Sequence, residues 1–145
     1  MGLAEAPVIS SLQDIVGFHI RLAHGAVNRH FTETFCDLGM TQKQVSVLWL
    51  VSDNPGLSQI ELGRELQMDR ATTMTIVNRM QQRNFLRRER SATDGRKQSL
   101  FLTDEGAKAL ALSKSAVAQH EEWLRSRLNP EEIKKLVEML AKIHD

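Results

Sequence analysis

The run Ser58-Gln59-Ile60-Glu61-Leu62-Gly63-Arg64-Glu65-Leu66-Gln67-Met68-Asp69-Arg70-Ala71-Thr72-Thr73-Met74-Thr75-Ile76-Val77-Asn78-Arg79-Met80 decides how this chain folds. Ser58 with Glu61 makes a capping box: a hydroxyl accepts a free backbone N–H, and the third helical residue reaches back to the cap. The helix it opens is short. Ile60 and Leu66 are its expected buried residues, and Gly63 permits close approach of a neighbour. Gln67-Met68 makes a turn, and Asp69 is a good N-cap for a following helix. In that second helix Thr73, Ile76, Val77 and Met80 recur at core spacing, whereas Arg70, Thr72, Thr75 and Arg79 lie off the stripe.

Working outward, Asn84 follows the last turn, where a left-handed residue is wanted. Residues 85–90 and 98–103 read as two strands, and Asp94-Gly95 between them is a strong hairpin signal. Upstream, Thr41 and Gln44 form another capping box, and Asn54-Pro55-Gly56 ends that helix. A first helix is expected over residues 11–36. It carries one apolar strip of Ile15, Phe18, Leu22 and Ala26 and a second of Val16, Ile20, Val27 and Phe31. Two strips imply two neighbours, one of them from another chain. Downstream, Thr103 caps a long helix with Asp104 and Glu105 on its positive end. Asn129-Pro130-Glu131-Glu132 then starts a last helix marked by Ile133, Leu136, Val137, Leu140 and Ile143. The chain thus reads as mainly α (α+β), about six helices and one hairpin. Met40, Met68, Met74, Met80 and Met139 fall at core-like positions.

The 145 residues suit one domain, and 41% apolar with 26% charged residues suits a folded core in water. No apolar run approaches the ~20 residues a membrane span needs, and the first residues lack a secretory pattern. A single cysteine, Cys36, leaves no internal disulfide, so a reducing cytoplasm is expected. The net charge of +1 conceals a partition. Residues 70–97 hold eight basic and two acidic side chains, and seven of the eight are Arg. Arginine suits fork-like contacts to phosphate and guanine, so the block is the footprint of a surface for a polyanion.

Short helix, turn, capped helix and basic hairpin follow the order of a winged helix-turn-helix. A helix fits the major groove of B-DNA with its N-terminal residues on base edges. The candidate contacts there are Arg70, Ala71, Thr72, Thr73, Thr75 and Arg79. The hairpin tip would bring Arg96 to a narrow minor groove, with Asp94 holding its guanidinium and Lys97 beside it.

At these residues the chain resembles the MarR-type transcriptional regulators. Residues 66–75 resemble that family's turn and recognition helix. Phe85-Leu86-Arg87-Arg88 with Asp94-Gly95-Arg96 resembles its wing, and Leu102-Thr103-Asp104-Glu105-Gly106 its exit into the long helix. The specific resemblance spans about residues 41–106. Asn84 stands where the family commonly has Gly, and Gly95 where many members carry a second Arg, which leaves Arg96 as the main minor-groove candidate. The resemblance implies a single domain over residues 1–145. Residues 1–38 and 104–145 would be dimerisation helices, and residues 39–103 the winged DNA-binding lobe. It implies a homodimeric repressor on a pseudo-palindromic operator in double-stranded DNA. A small aromatic or carboxylated effector would release it from a cleft faced by His19, Arg21, Trp49 and Arg88.

Other readings have less support in the residues. The histidines His19, His24, His30, His120 and His144 include no i,i+4 pair, and His19 and His30 lie ~16 Å apart along a helix. A metal- or thiol-responsive regulator on the same fold is therefore an alternative without a ligand set or a supported thiol. No cofactor is expected. Enzyme motifs are lacking: no Gly-rich phosphate loop, nucleophile elbow or HExxH is present. A helical protein-interaction module with a basic docking surface is the remaining class. Sequence-selective, salt-dependent binding to duplex DNA separates it from the regulator.

Overall fold

The computed structural model describes residues 4, 6, 8–90 and 97–145. The described residues form helices α1 (Val16–Thr34), α2 (Gln42–Asp53), α3 (Gln59–Glu65), α4 (Arg70–Gln82), α5 (Asp104–Arg125) and α6 (Pro130–His144). They also form strands β1 (Leu57–Ser58), β2 (Leu86–Arg90) and β3 (Gln98–Leu102). The expected capping boxes at Thr41/Gln44 and Ser58/Glu61 are both closed, as is a third at Asn129/Glu132. Asn84 adopts φ 62°, the left-handed conformation its position calls for. The core joins Val45, Val47, Leu48 and Val51 of α2 to Leu62, Val77, Met80, Leu86, Leu100 and Leu110.

Four expectations need correction. The first helix does not run unbroken from residue 11. A 3-10 turn over Ser11–Asp14, capped by the Ser10 hydroxyl, ends at Ile15 in extended backbone before α1 begins. The hairpin has a third partner: β1 pairs antiparallel with β3, Leu57 opposite Leu100, giving the order β1-β3-β2. Two residues are too few for an alternating pattern to be visible in the sequence. Ile60 is exposed, because Leu62 and Gly63 supply the buried face of α3. Met74 and Met139 are exposed too, whereas Met40 and Met80 are buried as expected.

The base of the wing is tied to α5 through backbone. Thr103 N–H donates to the Phe85 carbonyl at 3.1 Å, and the Thr103 hydroxyl donates to the Asn84 carbonyl at 2.6 Å. The same hydroxyl accepts the Gly106 N–H at 3.0 Å. A Cβ on Gly106 would lie 2.0 Å from the Phe85 carbonyl oxygen, so only glycine lets α5 start this close to the strand.

Helices α1 and α5 meet at an imidazole pair that no spacing within one helix could announce. The Nδ1 atoms of His30 and His120 are 2.7 Å apart, and Trp123 stacks on His30 at 4.3 Å. At that separation one nitrogen must accept, so the pair tolerates one bridging proton and not two. Burial, and secondly the charge of His30, hold the His120 pKa below its ordinary 6.5, with Glu121 opposing.

Replacing Gly106 by Ala is expected to cost more than the ~1–3 kcal/mol of ordinary overpacking, because the collision is with backbone. Urea unfolding measures it, and a cost under ~1 kcal/mol would show that α5 can shift freely. The depressed His120 pKa favours the neutral form on folding. Its stabilisation is present above pH 6.5 and lost as pH falls below that value. The melting temperature is expected to drop between pH 7 and pH 5, and His120→Gln to flatten the drop.

Candidate nucleic-acid interface

Helix α4 is placed by contacts that expose its N-terminal half. The Asp69 carboxylate accepts the Thr72 N–H at 2.7 Å, and that bond holds its pKa below the usual carboxylate value. Gln67, at φ 51°, turns the chain between α3 and α4. Gly63 then lies so near α4 that a Cβ there would sit 2.7 Å from the Thr73 hydroxyl. Thr73 is accordingly buried, its hydroxyl donating to the Asp69 carbonyl at 2.8 Å. It therefore drops out of the expected contact set: it packs α4 on α3 and does not reach the outer face. Its β-carbon branch belongs to the inward stripe, with Val77 and Met80 at the following turns.

The remaining α4 candidates form one outward face. Arg70, Ala71, Thr75 and Arg79 are exposed and Thr72 is half-buried. The Thr75 hydroxyl donates back to the Ala71 carbonyl, leaving its methyl and lone pairs outward. Lys97 is exposed just before β3, while Asp94 and Arg96 lie outside the described residues. Two shallow grooves flank the N-terminal end of α4. One, about 420 Å³, is lined by α3, by Met68 of the turn and by α4 residues including Ala71 and Thr73. The other, about 490 Å³, lies between α3, α4 and the wing base, with Arg64, Arg70, Arg88 and Lys97 on its walls and Glu61 as an acid among them. Glu61 is occupied as a cap: the Ser58 N–H and hydroxyl hold its pKa down. Ile60 and Met74, exposed at 54% and 51%, form an apolar ridge shared by both grooves.

The basic block seen in the sequence divides in space. Arg83 donates to the Gly39 carbonyl at 2.9 Å and stacks over Phe85, so it braces the loop before α2. Arg87 pairs with Glu89 and lies over Phe101. Arg64 joins the basic wall from outside the block, and its distance in sequence from the wing hid it. Asn78 and Gln81 were also missed, because exposed amides leave no periodic signal.

The four residues expected to face an effector cleft each have partners of their own within the chain. His19 bonds the Gln13 carbonyl at 2.6 Å and Arg21 lies over Phe18. Trp49 is half-buried beneath Lys114, 4.7 Å from its ring centroid. Arg88 instead points to α4 and α3, bonding Asn78, Gln81 and Gln59. These bonds hold its guanidinium on the wall of the groove between α3, α4 and the wing base. Among the described residues, no group of three or more His, Cys, Asp or Glu side chains could hold a metal ion. Cys36 is exposed beside Asp37. No helix among the described residues is long and apolar enough to cross a membrane.

Comparison with known proteins agrees with this geometry. A family model described as MarR family matches residues 38–97, which hold α2, α3, α4 and the wing's first strand. A candidate transcriptional regulatory protein for the hcr operon of Thauera aromatica is 32% identical over 143 residues, covering 98% of this chain and 86% of that protein. The transcriptional repressor CouR, solved bound to a 23-mer DNA duplex, superposes with a TM-score of 0.91 at 30% identity, over 97% of this chain and 100% of that one. BpsR of Bordetella bronchiseptica, solved in a study of how 6-hydroxynicotinic acid regulates its DNA binding, has a TM-score of 0.87 at 26% identity. The match covers 97% of this chain and 99% of BpsR.

Proposed function

Since this chain belongs to the MarR family of transcriptional regulators, we propose that it acts as a homodimeric repressor, released from a pseudo-palindromic operator by a small aromatic or carboxylated ligand. The observation that carries the DNA reading is the outward face of α4, with Arg70, Ala71, Thr72, Thr75 and Arg79 beside a groove walled by Arg64, Arg70 and Lys97. Arg70 and the threonines would meet base edges in the major groove. Arg96, with Asp94, would reach the minor groove from the wing tip. The basic wall would take the phosphate strand between the grooves, which positions the protein without reading sequence.

The dimer reading is supported by apolar surface left open by one chain. Helix α6 buries none of its residues, yet presents Leu136, Val137, Leu140 and Ile143. The segment before and within α1 likewise exposes Ile9, Leu12, Ile15 and Val16. Patches of this size are costly to leave in water, and a second copy would cover both. Residues 1–38 and 104–145 would serve as the dimerisation region, and residues 39–103 as the DNA-binding lobe in a cytoplasmic protein. His19, Arg21 and Trp49 would face the effector between those regions, and its binding would favour a spacing of the two α4 helices that no longer fits the operator. The DNA binding of BpsR is regulated by 6-hydroxynicotinic acid, a hydroxylated aromatic acid, which supports a ligand of that class here.

Selection of bound duplexes from a random pool tests the reading. A palindromic consensus with half-sites one DNA turn apart, ~34 Å, is expected. Replacement of Arg70 by Ala is expected to relax preference at one base pair by ~1–3 kcal/mol, and Arg96→Ala to weaken binding without lowering the melting temperature. Binding of all duplexes alike, or of none, would favour the protein-docking alternative.

A further inference from the structure

We propose that Arg88 is a positioning residue for DNA recognition: from strand β2 it clamps α4 to α3 and so sets the angle between the helix meant for the major groove and the wing meant for the minor one. The proposal rests on the DNA reading above. The Arg88 Nη1 donates to Gln81 Oε1 at 3.0 Å. Its Nη2 donates to Asn78 Oδ1 at 2.7 Å and to Gln59 Oε1 at 3.0 Å. One side chain thereby joins β2, α4 and α3. The guanidinium is a rigid planar fork, so bonds in three directions fix the relative orientation of the elements that supply the acceptors; an ammonium on a flexible stem has no such geometry.

Three features separate this role from that of an arginine waiting for a phosphate. Three of its four Nη–H donors are already used. Its Nε is buried with no partner among the described residues, and its Nη groups, on the groove wall, are held by Gln81, Asn78 and Gln59. Its partners among the described residues are neutral amides, and burial lowers its pKa. Hydrogen bonds from a charged donor to neutral amide oxygens hold the clamp.

The clamp sits where a second attachment is needed. Helix α4 is joined to β2 through Arg83, Asn84 and Phe85, a link that alone would leave a hinge at the left-handed Asn84. Arg88 lies opposite Leu100, which lies opposite Leu57, so the fork starts from the row that crosses all three strands. A link at one end of α4 and a fork along its side together remove the remaining rotation. Asn78 and Gln81 turn their carbonyl oxygens toward Arg88, which leaves their N–H2 groups directed away from it.

The test compares wild type, Arg88→Met, Arg88→Lys and Asn78→Ala on two duplexes: the sequence enriched from a random pool by the wild-type chain, and a scrambled version. Affinity is measured across salt concentrations, and thermal unfolding checks that each variant is folded at the assay temperature. Arg88→Met is expected to lose about ten- to hundredfold on the enriched duplex and almost nothing on the scrambled one, with the salt slope unchanged. Arg88→Lys is expected not to rescue it. Asn78→Ala removes an acceptor and leaves the arginine, so it gives the same selective loss even if Arg88→Met fails to fold. An equal loss on both duplexes, with a salt slope reduced by about one and rescue by Lys, would overturn the proposal in favour of a phosphate contact. Unchanged affinity in Arg88→Met or Asn78→Ala would also overturn it. If the wild-type chain itself shows no preference for any duplex, the DNA reading fails first and the clamp fails with it.

Discussion

The close approach of α3 and α4 at Gly63 governs the rest of the structure. With no side chain at Gly63, the Thr73 hydroxyl occupies the space a Cβ would need. The Asp69 carbonyl takes both the N–H and the hydroxyl of Thr73. These bonds seat the inner stripe of α4 on the core and turn Arg70, Thr75 and Arg79 outward. A larger residue at position 63 would push α4 away from α3 and move every candidate contact with it.

The wing depends on a comparable contact at the other end. Thr103 bonds the backbone of Asn84, Phe85 and Gly106, and Gly106 lets α5 begin against the strand. The long helix therefore starts from a fixed point on the wing. Any shift of α5 against its neighbours would reach the wing base through hydrogen bonds to backbone, without relying on flexible side chains. The His30–His120 pair lies farther along α5, where it meets α1. It places a titratable contact between two helices of the proposed dimerisation region.

Charge and apolar surface are segregated. Basic side chains gather around α3, α4 and the wing base, whereas most of the open apolar residues lie before and within α1 and on α6. The first arrangement suits a highly charged partner and the second a partner like itself. On a chain whose net charge is only +1, that separation, and not overall charge, creates the local potential.

Much of this was legible in the sequence. The capping boxes, the Asp69 N-cap, the left-handed Asn84 and the inner stripe of α4 are local patterns, and local backbone chemistry alone determines them. The residues of the outer α4 face followed from the same periodicity by subtraction. What the sequence could not settle depends on which distant segments meet. Thr73 reads as inner stripe by spacing and as a DNA contact by residue type, and the close packing of Gly63, ten residues away, decides between the two. Ile60 and Met74 read as core by residue type, yet α3 buries Leu62 and Gly63 instead, and α4 buries the stripe of Thr73, Val77 and Met80, which leaves Met74 outside it. Strand β1 exists because β3 passes beside it, and Arg88 joins α4 because the sheet aims it there. The His30–His120 contact likewise spans ninety residues. Hydrogen bonds within one turn of helix are written in adjacent residues, whereas contacts across the core have their partners chosen by the packing of whole elements, and those only the tertiary structure decided.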